Sequence, residues 1–447
     1  MSLGACRLKR RILVFMVSLW ASLNLASCGG SKRTNPPSGL PDRVLVSQGV
    51  TSTSAFGSLV IVNGLNDTLT PTSPLGAGAS PGLMAISPSR NIVMAFDPAS
   101  NTVFSVNTTR ESSLGSVQLP GRTFSMTVPT SDSVGYAAVP TAVIAGFPVL
   151  GAVEVMDLTR SITTTIAVGN AETVIANGNG SQLLVFSNDS DSVTVLTPSD
   201  ALPGVDLSCN PPLNSAVCQI VPGFNRPVYA VINGTTAYVM NCGFECGGSQ
   251  QASVQTLDLN TLVAGTPVKV NGATYAFLSG IKLYVAGDGT PTGPLCASLP
   301  NAAKTAATYC GTVDIVDLTA MKDLNFSNPI AIPDGYHDRM DMSINGQLFI
   351  GSHDCTNIGD VNNPSGEVRG CLAILNTNTD AVIIPPDNGD VNGLQSFTSR
   401  EIEYVAEGGA LRVYDTTRDM LLINDFVPLG TINVIGYVGD VKAIDFF

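Results

Sequence analysis

The sequence has little of several things, and each shortage removes a class of function. Only 13% of its 447 residues are charged, about half the usual share. Lys and Arg are the scarcer sign, with 22 against 35 Asp and Glu, for a net charge of −13. So acidic a surface repels phosphate backbones, so nucleic acid is not an expected partner. There are two histidines, His337 and His353, and one tryptophan, Trp20. No C-x-x-C-H haem attachment, G-x-S-x-G elbow or phosphate-binding glycine loop occurs. The cysteines lack the clustering and histidine company of a zinc site. Neither a cofactor nor a metal is therefore expected. Long helix-forming stretches are scarce too, while Gly, Thr, Ser and Val abound, the composition of a turn-rich, all-β chain.

What is present begins with address. Arg7, Lys9, Arg10 and Arg11 precede an apolar run from Ile12 to about Leu25. That run is shorter than the roughly 20 residues of a membrane span and has the order of a secretory signal. Leu25-Ala26-Ser27-Cys28 closes it and resembles the lipobox of bacterial lipoproteins. The resemblance implies cleavage before Cys28 and lipidation of that cysteine. Residues 1–27 are then a signal peptide, and the mature chain carries a charge of −17. The lipid, not a basic patch, would hold it at the membrane. Gly29 follows the cysteine with no aspartate; among lipoproteins this implies the outer membrane where the organism has one. Residues 28–42, rich in Gly, Ser and Pro, read as a flexible tether.

Eight further cysteines fall in near pairs: Cys209/Cys218, Cys242/Cys246, Cys296/Cys310 and Cys355/Cys371. Even numbers in an exported chain read as disulfides. Near-neighbour pairing costs least in loop closure, although eight cysteines allow 105 pairings.

From residue 43 onward one short unit recurs, an alternating apolar strand ending in Asp, Asn or Thr. Its copies end at Asn63, Asn107, Asp157, Thr197, Asp258, Asp317, Asn376 and Asp415. Steps of 39 to 61 residues separate them, and a propeller blade of four strands needs about 40–50. The preceding strand shows in most repeats, as in Leu283-Tyr284-Val285-Ala286 and Glu403-Tyr404-Val405-Ala406. Residues 183–196, Leu-Leu-Val-Phe-Ser-Asn-Asp-Ser-Asp-Ser-Val-Thr-Val-Leu, resemble the YVTN-type β-propeller repeat. WD-repeat and quinoprotein propellers carry tryptophans in their repeats, and none lies past residue 20 here.

The expectation is one all-β propeller over residues 43–447 with eight four-stranded blades. Seven follow if a weak N-terminal copy is only a closing strand. Residues 432–447 would share a blade with residues 43–75, leaving no free sheet edge. The terminal Asp and Asn residues read as turn caps rather than catalytic acids.

Three cysteine pairs fall between second and third strands, which would place stapled loops on one face. Both histidines belong to that face of a single blade. If Tyr336–Asp341 is extended, His337, Arg339 and Asp341 alternate onto one side. A histidine beside carboxylates suits a general base or a metal ligand, so His337, Asp338, Arg339, Asp341, His353 and Asp354 are the candidates for catalysis. Asp360-Val361-Asn362 with Ser365 and Glu367 loosely resembles a calcium loop but departs from EF-hand spacing. The preferred functional expectation is a lipid-anchored binding module of the cell envelope, facing another envelope protein, a peptide or a glycan. The alternative is an enzyme, since some propeller relatives are lactonases or lyases with His, acidic and Arg residues at the channel.

Overall fold

The computed structural model describes residues 36–50, 57–72, 74–198, 207–209, 217–288, 299, 310–358 and 369–444. The expected signal peptide, residues 1–27, together with Cys28, Cys296 and the 360–367 loop, lies outside the described residues.

Each of the eight apolar copies is the third strand of one sheet, and there are eight sheets. Within a sheet the four main strands pair antiparallel, in chain order except in blade 1, whose inner strand is the last of the chain, each sheet forming one blade. The innermost strands are Tyr437–Ala443 in blade 1, Met84–Ile86 in blade 2, Ser125–Thr127 in blade 3 and Ala171–Ala176 in blade 4. Pro227–Asn233, Tyr275–Ser279, Tyr336–Met342 and Val391–Ser396 follow in blades 5 to 8. The expected eight four-stranded blades are thus present, three of them with an added short strand.

Alternation explains the packing. Along a third strand such as Leu372–Asn376 both faces are buried, because each blade is sandwiched between two others. The apolar side chains accordingly separate into one main cluster per blade interface, with a smaller one around Cys310, Ala331 and Ile384. Met94, Phe96 and Met156 fill the gap between blades 2 and 3. Phe349, Val405 and Tyr414 fill that between blades 7 and 8.

The ring closes as the repeat positions suggested. The last strand, Tyr437–Ala443, pairs antiparallel with Arg43–Gly49 from the start of the domain, which pairs in turn with Ser58–Asn63. Residues 36–42 lie against blade 2: the Ser38 hydroxyl donates to Glu111 Oε1 at 2.6 Å and Asp42 is buried.

The capping role of the terminal Asp and Asn residues also holds. In blades 1–3 and 5–8 the side chain accepts backbone N–H groups two or three residues on, as Asn376 does from Asn378 at 3.0 Å and Thr379 at 3.2 Å. The residue four places on then has positive φ, at Asp67, Glu111, Ser161, Leu262, Met321, Asp380 and Asp419. The turn is one motif used seven times; blade 4, ending in Thr197, departs from it. There the chain runs on to pair Leu207–Ser208 with blade 3 before returning as Cys218–Pro222.

Cys209–Cys218, Cys242–Cys246 and Cys355–Cys371 are disulfides between near neighbours. Cys310 is disulfide-bonded as well. The first pair sits between third and fourth strands. The other two stand at the opposite end of the molecule, between second and third strands, where the inner strands begin.

Candidate functional site

At that end a cavity of about 690 Å³ opens on the channel. Its wall comes from the starts of the inner strands of blades 3 to 7, with Cys246 of the stapled blade 5 turn at its edge. The stem of this wall is a repeated backbone device. In blades 4, 5, 7 and 8 the inner strand carries one extra residue against its neighbour, after Ala171, Pro227, His337 and Val391. Such a bulge re-aims the side chain it carries. The residues it carries are Glu172, Val228, Asp338 and Asn392. The first three line the cavity.

The bulge corrects the alternation expected for Tyr336–Asp341. His337 pairs with Ser352 and Arg339 with the adjacent Gly351, leaving Asp338 extra. His337 and Arg339 therefore do not share a side. His337 turns toward blade 6 and is buried, its ring against Gly311 so closely that a Cβ there would meet Cε1 at 2.5 Å. Arg339 turns toward blade 8, where Nε donates to the Asn392 carbonyl at 3.1 Å. Asp341 lies two residues deeper and accepts the Ser396 N–H at 2.6 Å, away from the cavity.

Three of the candidates do meet. Asp338 Oδ1 lies 2.9 Å from His353 Nδ1, and its Oδ2 accepts from Arg339 Nη1 at 3.0 Å. His353 Nε2 is 3.2 Å from Asn392 Oδ1, and the Asn392 amide donates to the Tyr437 hydroxyl at 3.2 Å. Burial works to raise the Asp338 pKa, but Arg339 and then His353 outweigh it and hold the carboxyl below its ordinary value. Burial works to lower His353, and the hydrogen bond and charge of Asp338 outweigh that and raise it. Both ring nitrogens of His353 are thus engaged, in a setting that favours the imidazolium. Asp354 is exposed, its backbone N–H bound to Asp390 Oδ1.

His337, itself buried, stands in a separate pair with the partly exposed Asp288. Its Nδ1 has no hydrogen-bond partner and faces Asp288 Oδ1 at 3.8 Å, itself without one. Desolvation pushes His337 down to about 4 and Asp288 up to about 6.

Several cavity residues escaped the sequence reading. Tyr229 and Tyr275 stack with ring centroids 4.1 Å apart. Arg226 sits 3.4 Å from Asp189, yet its Nε and Nη1 make no hydrogen bond. Glu172, raised by burial, accepts from Asn188 at 2.9 Å. Phe124 and Tyr336 are aromatic liners of the cavity that remain about half exposed. The usable signal was positional: these residues stand at or just before the start of successive inner strands, one blade apart. Among the described residues, the clustered metal-type side chains are Cys355, Cys371 and Asp390, and a disulfide occupies both cysteines.

No protein-family model matches the sequence, and no curated protein matches it either. Solved structures match in shape. Hydrazine synthase of Kuenenia stuttgartiensis is 13% identical with a TM-score of 0.51, over 75% of this chain and 95% of that one. Dihydro-heme d1 dehydrogenase NirN, in complex with DHE, is 11% identical with a TM-score of 0.56, over 92% of this chain and 79% of that one. At such identities the similarity concerns the fold.

Proposed function

We propose that this propeller is a binding module of the cell envelope, tethered through a lipid on Cys28, whose channel-mouth cavity takes a glycan. The observation that carries the reading is the lining of the cavity. Stacked Tyr229 and Tyr275 with Phe124 and Tyr336 offer apolar ring faces, and Arg226, Glu172, Asn188 and Asp338 offer donors and acceptors between them. A sugar has that pair of surfaces, an apolar C–H face and a hydroxylated edge. Arg226 Nε and Nη1 make no hydrogen bond within the protein, Nη1 being held only by the 3.4 Å ion pair with Asp189, which leaves the guanidinium able to turn toward a hydroxyl-rich ligand. The volume is within the range of small-ligand sites.

The enzyme reading rests on the Asp338–His353 pair and on structural neighbours that are enzymes. The chemistry of the pair argues against it. A general base needs a free ring nitrogen aimed at its substrate, and both His353 nitrogens face oxygens of the protein, Asp338 Oδ1 and Asn392 Oδ1. Fold similarity adds little, because propellers host unrelated functions.

A glycan panel screened against the purified chain tests the proposal. Tyr336→Ala, at a position about half exposed, should weaken a bound glycan about tenfold, roughly 1.4 kcal/mol. Binding that survives Tyr336→Ala and Arg226→Ala unchanged would place the ligand elsewhere. Turnover of a lactone or glycan lost in His353→Gln would favour the enzyme. For the anchor, Cys28→Ala should release the protein from membranes; full membrane retention of that variant would refute lipidation.

A further inference from the structure

A second polar cluster lies away from the cavity, inside the interface of blades 7 and 8. Its membership follows from register. Asp341 pairs with Phe349 across blade 7, and Glu403 pairs with Tyr414 across blade 8. The Phe349 and Tyr414 rings meet edge to face at 5.9 Å, so both rows face the same interface. Period two then adds Gln347, two residues from Phe349, and Thr416, two residues from Tyr414. The Asn345 side chain donates to the Thr416 carbonyl at 2.7 Å, tying these two strand ends together.

Every added member has an orphaned oxygen. Glu403 is completely buried, and neither carboxylate oxygen has a hydrogen bond. Thr416 is also completely buried with Oγ1 unpartnered, and Gln347, 6% exposed, has Oε1 unpartnered. Asp341 faces Glu403 closely enough for their charges to interact. Its two oxygens each accept one backbone N–H, from Met342 and Ser396, and the Ser396 hydroxyl also acts on the carboxylate, which still leaves lone pairs free. The Gln395 backbone N–H favours the charged form of Glu403 from outside hydrogen-bond geometry. Lys442 acts on Asp341 at longer range, but its ammonium is bound to Asp440 Oδ1 at 2.8 Å.

Buried unpaired charge is costly, and unpaired buried oxygens add to the cost. A single proton between Glu403 and Asp341 would satisfy the carboxyls in part and leave the Gln347 carbonyl empty. We propose that this cluster is a structural cation site, taking one calcium-like divalent ion between blades 7 and 8. Two carboxylates match its charge. Glu403 can supply two oxygens, and Asp341, Gln347 and Thr416 one each, with water completing the six to eight that calcium prefers. All donors are oxygen, which excludes soft thiophilic metals. The ion would fasten blade 7 to blade 8, the penultimate joint before ring closure.

The test is the metal content of the purified full chain after dialysis, with calcium titrated into chelator-stripped protein and the thermal midpoint followed. The expected result is one calcium per chain, a midpoint lowered by chelator and restored by calcium, and loss of both effects in Glu403→Gln. Thr416→Val, a near-isosteric change, should weaken calcium about tenfold or more while leaving the fold intact, and covers the case where Glu403→Gln does not fold. Metal-free protein whose midpoint ignores both chelator and calcium would overturn the proposal. So would stoichiometric calcium that both variants retain, which would put the ion elsewhere, for example in the 360–367 loop. A Glu403→Gln midpoint above that of the wild type with calcium present would show a shared proton instead.

Discussion

His337 shows how a single side chain acquires a property its neighbours in sequence do not share. The bulge at Asp338 sends the imidazole into the blade 6 interface, and desolvation there depresses its pKa from 6.5 to about 4. The folded protein therefore binds a proton at His337 less readily than the unfolded chain does. Stability from this group is complete above about pH 6.5 and falls as the pH drops toward 4. The shift corresponds to roughly 3 kcal/mol. Asp288 acts in the opposite sense: its raised pKa makes the folded state more favourable as the pH falls from about 6 toward 4. The two partly cancel in the wild type, so the measurement must be differential. Chemical denaturation of wild type and His337→Gln at pH 7 and pH 4.5 should show the variant gaining by about 2–3 kcal/mol on acidification. An unchanged difference between the two pH values would mean that protonated His337 pairs with Asp288 across their 3.8 Å gap.

At the scale of elements, the same turn closes seven third strands, and its energetics can be read from one copy. Asn376 caps Asn378 and Thr379, while the Asp380 N–H returns to the Asn376 carbonyl at 2.9 Å and Asp380 holds φ at 58°. Asn376→Ala removes the side-chain acceptor and should cost about 1 kcal/mol by denaturant midpoint. Asn376→Asp, which keeps an acceptor, should cost much less; equal losses would show that the turn does not depend on the cap. These turns and the strands before them were legible because their residues obey local rules: alternating apolar side chains, then Asp or Asn. The inner strands were not. Ser125–Thr127 is three residues long, and Tyr336–Met342 carries His, two Asp and Arg, so hydropathy gives no register. The bulges that aim Asp338 and Asn392 depend on pairing partners far along the chain. For the same reason Glu403 read only as part of a strand, Glu403-Tyr404-Val405-Ala406. Nothing local reveals that Asp341, some sixty residues earlier in the chain, faces it across a blade boundary.

For the whole molecule the decisive joint is blade 1, where one strand comes from the C-terminus and three from the N-terminus. Tyr437–Ala443 buries Val438 and Val441 completely against Phe397, Tyr404 and Val46 in a shared cluster. Ile444 joins the next cluster, between blades 1 and 2. Burying each such side chain is worth about 2 kcal/mol, or roughly 6 for the three, before the lost strand pairing is counted. Native stability is only about 5–15 kcal/mol, so loss of this strand removes a large part of it. It also exposes the edge of Arg43–Gly49, an open template for association. Ending the chain at Ile435 should therefore abolish the single cooperative melt and promote aggregation, as followed by calorimetry and light scattering. A peptide spanning residues 436–444, added to the truncated protein, should restore a cooperative transition by refilling the inner position of blade 1. A truncated protein that melts cooperatively at the wild-type temperature would mean that the ring holds without its last strand, with the six interfaces among blades 2 to 8 sufficient.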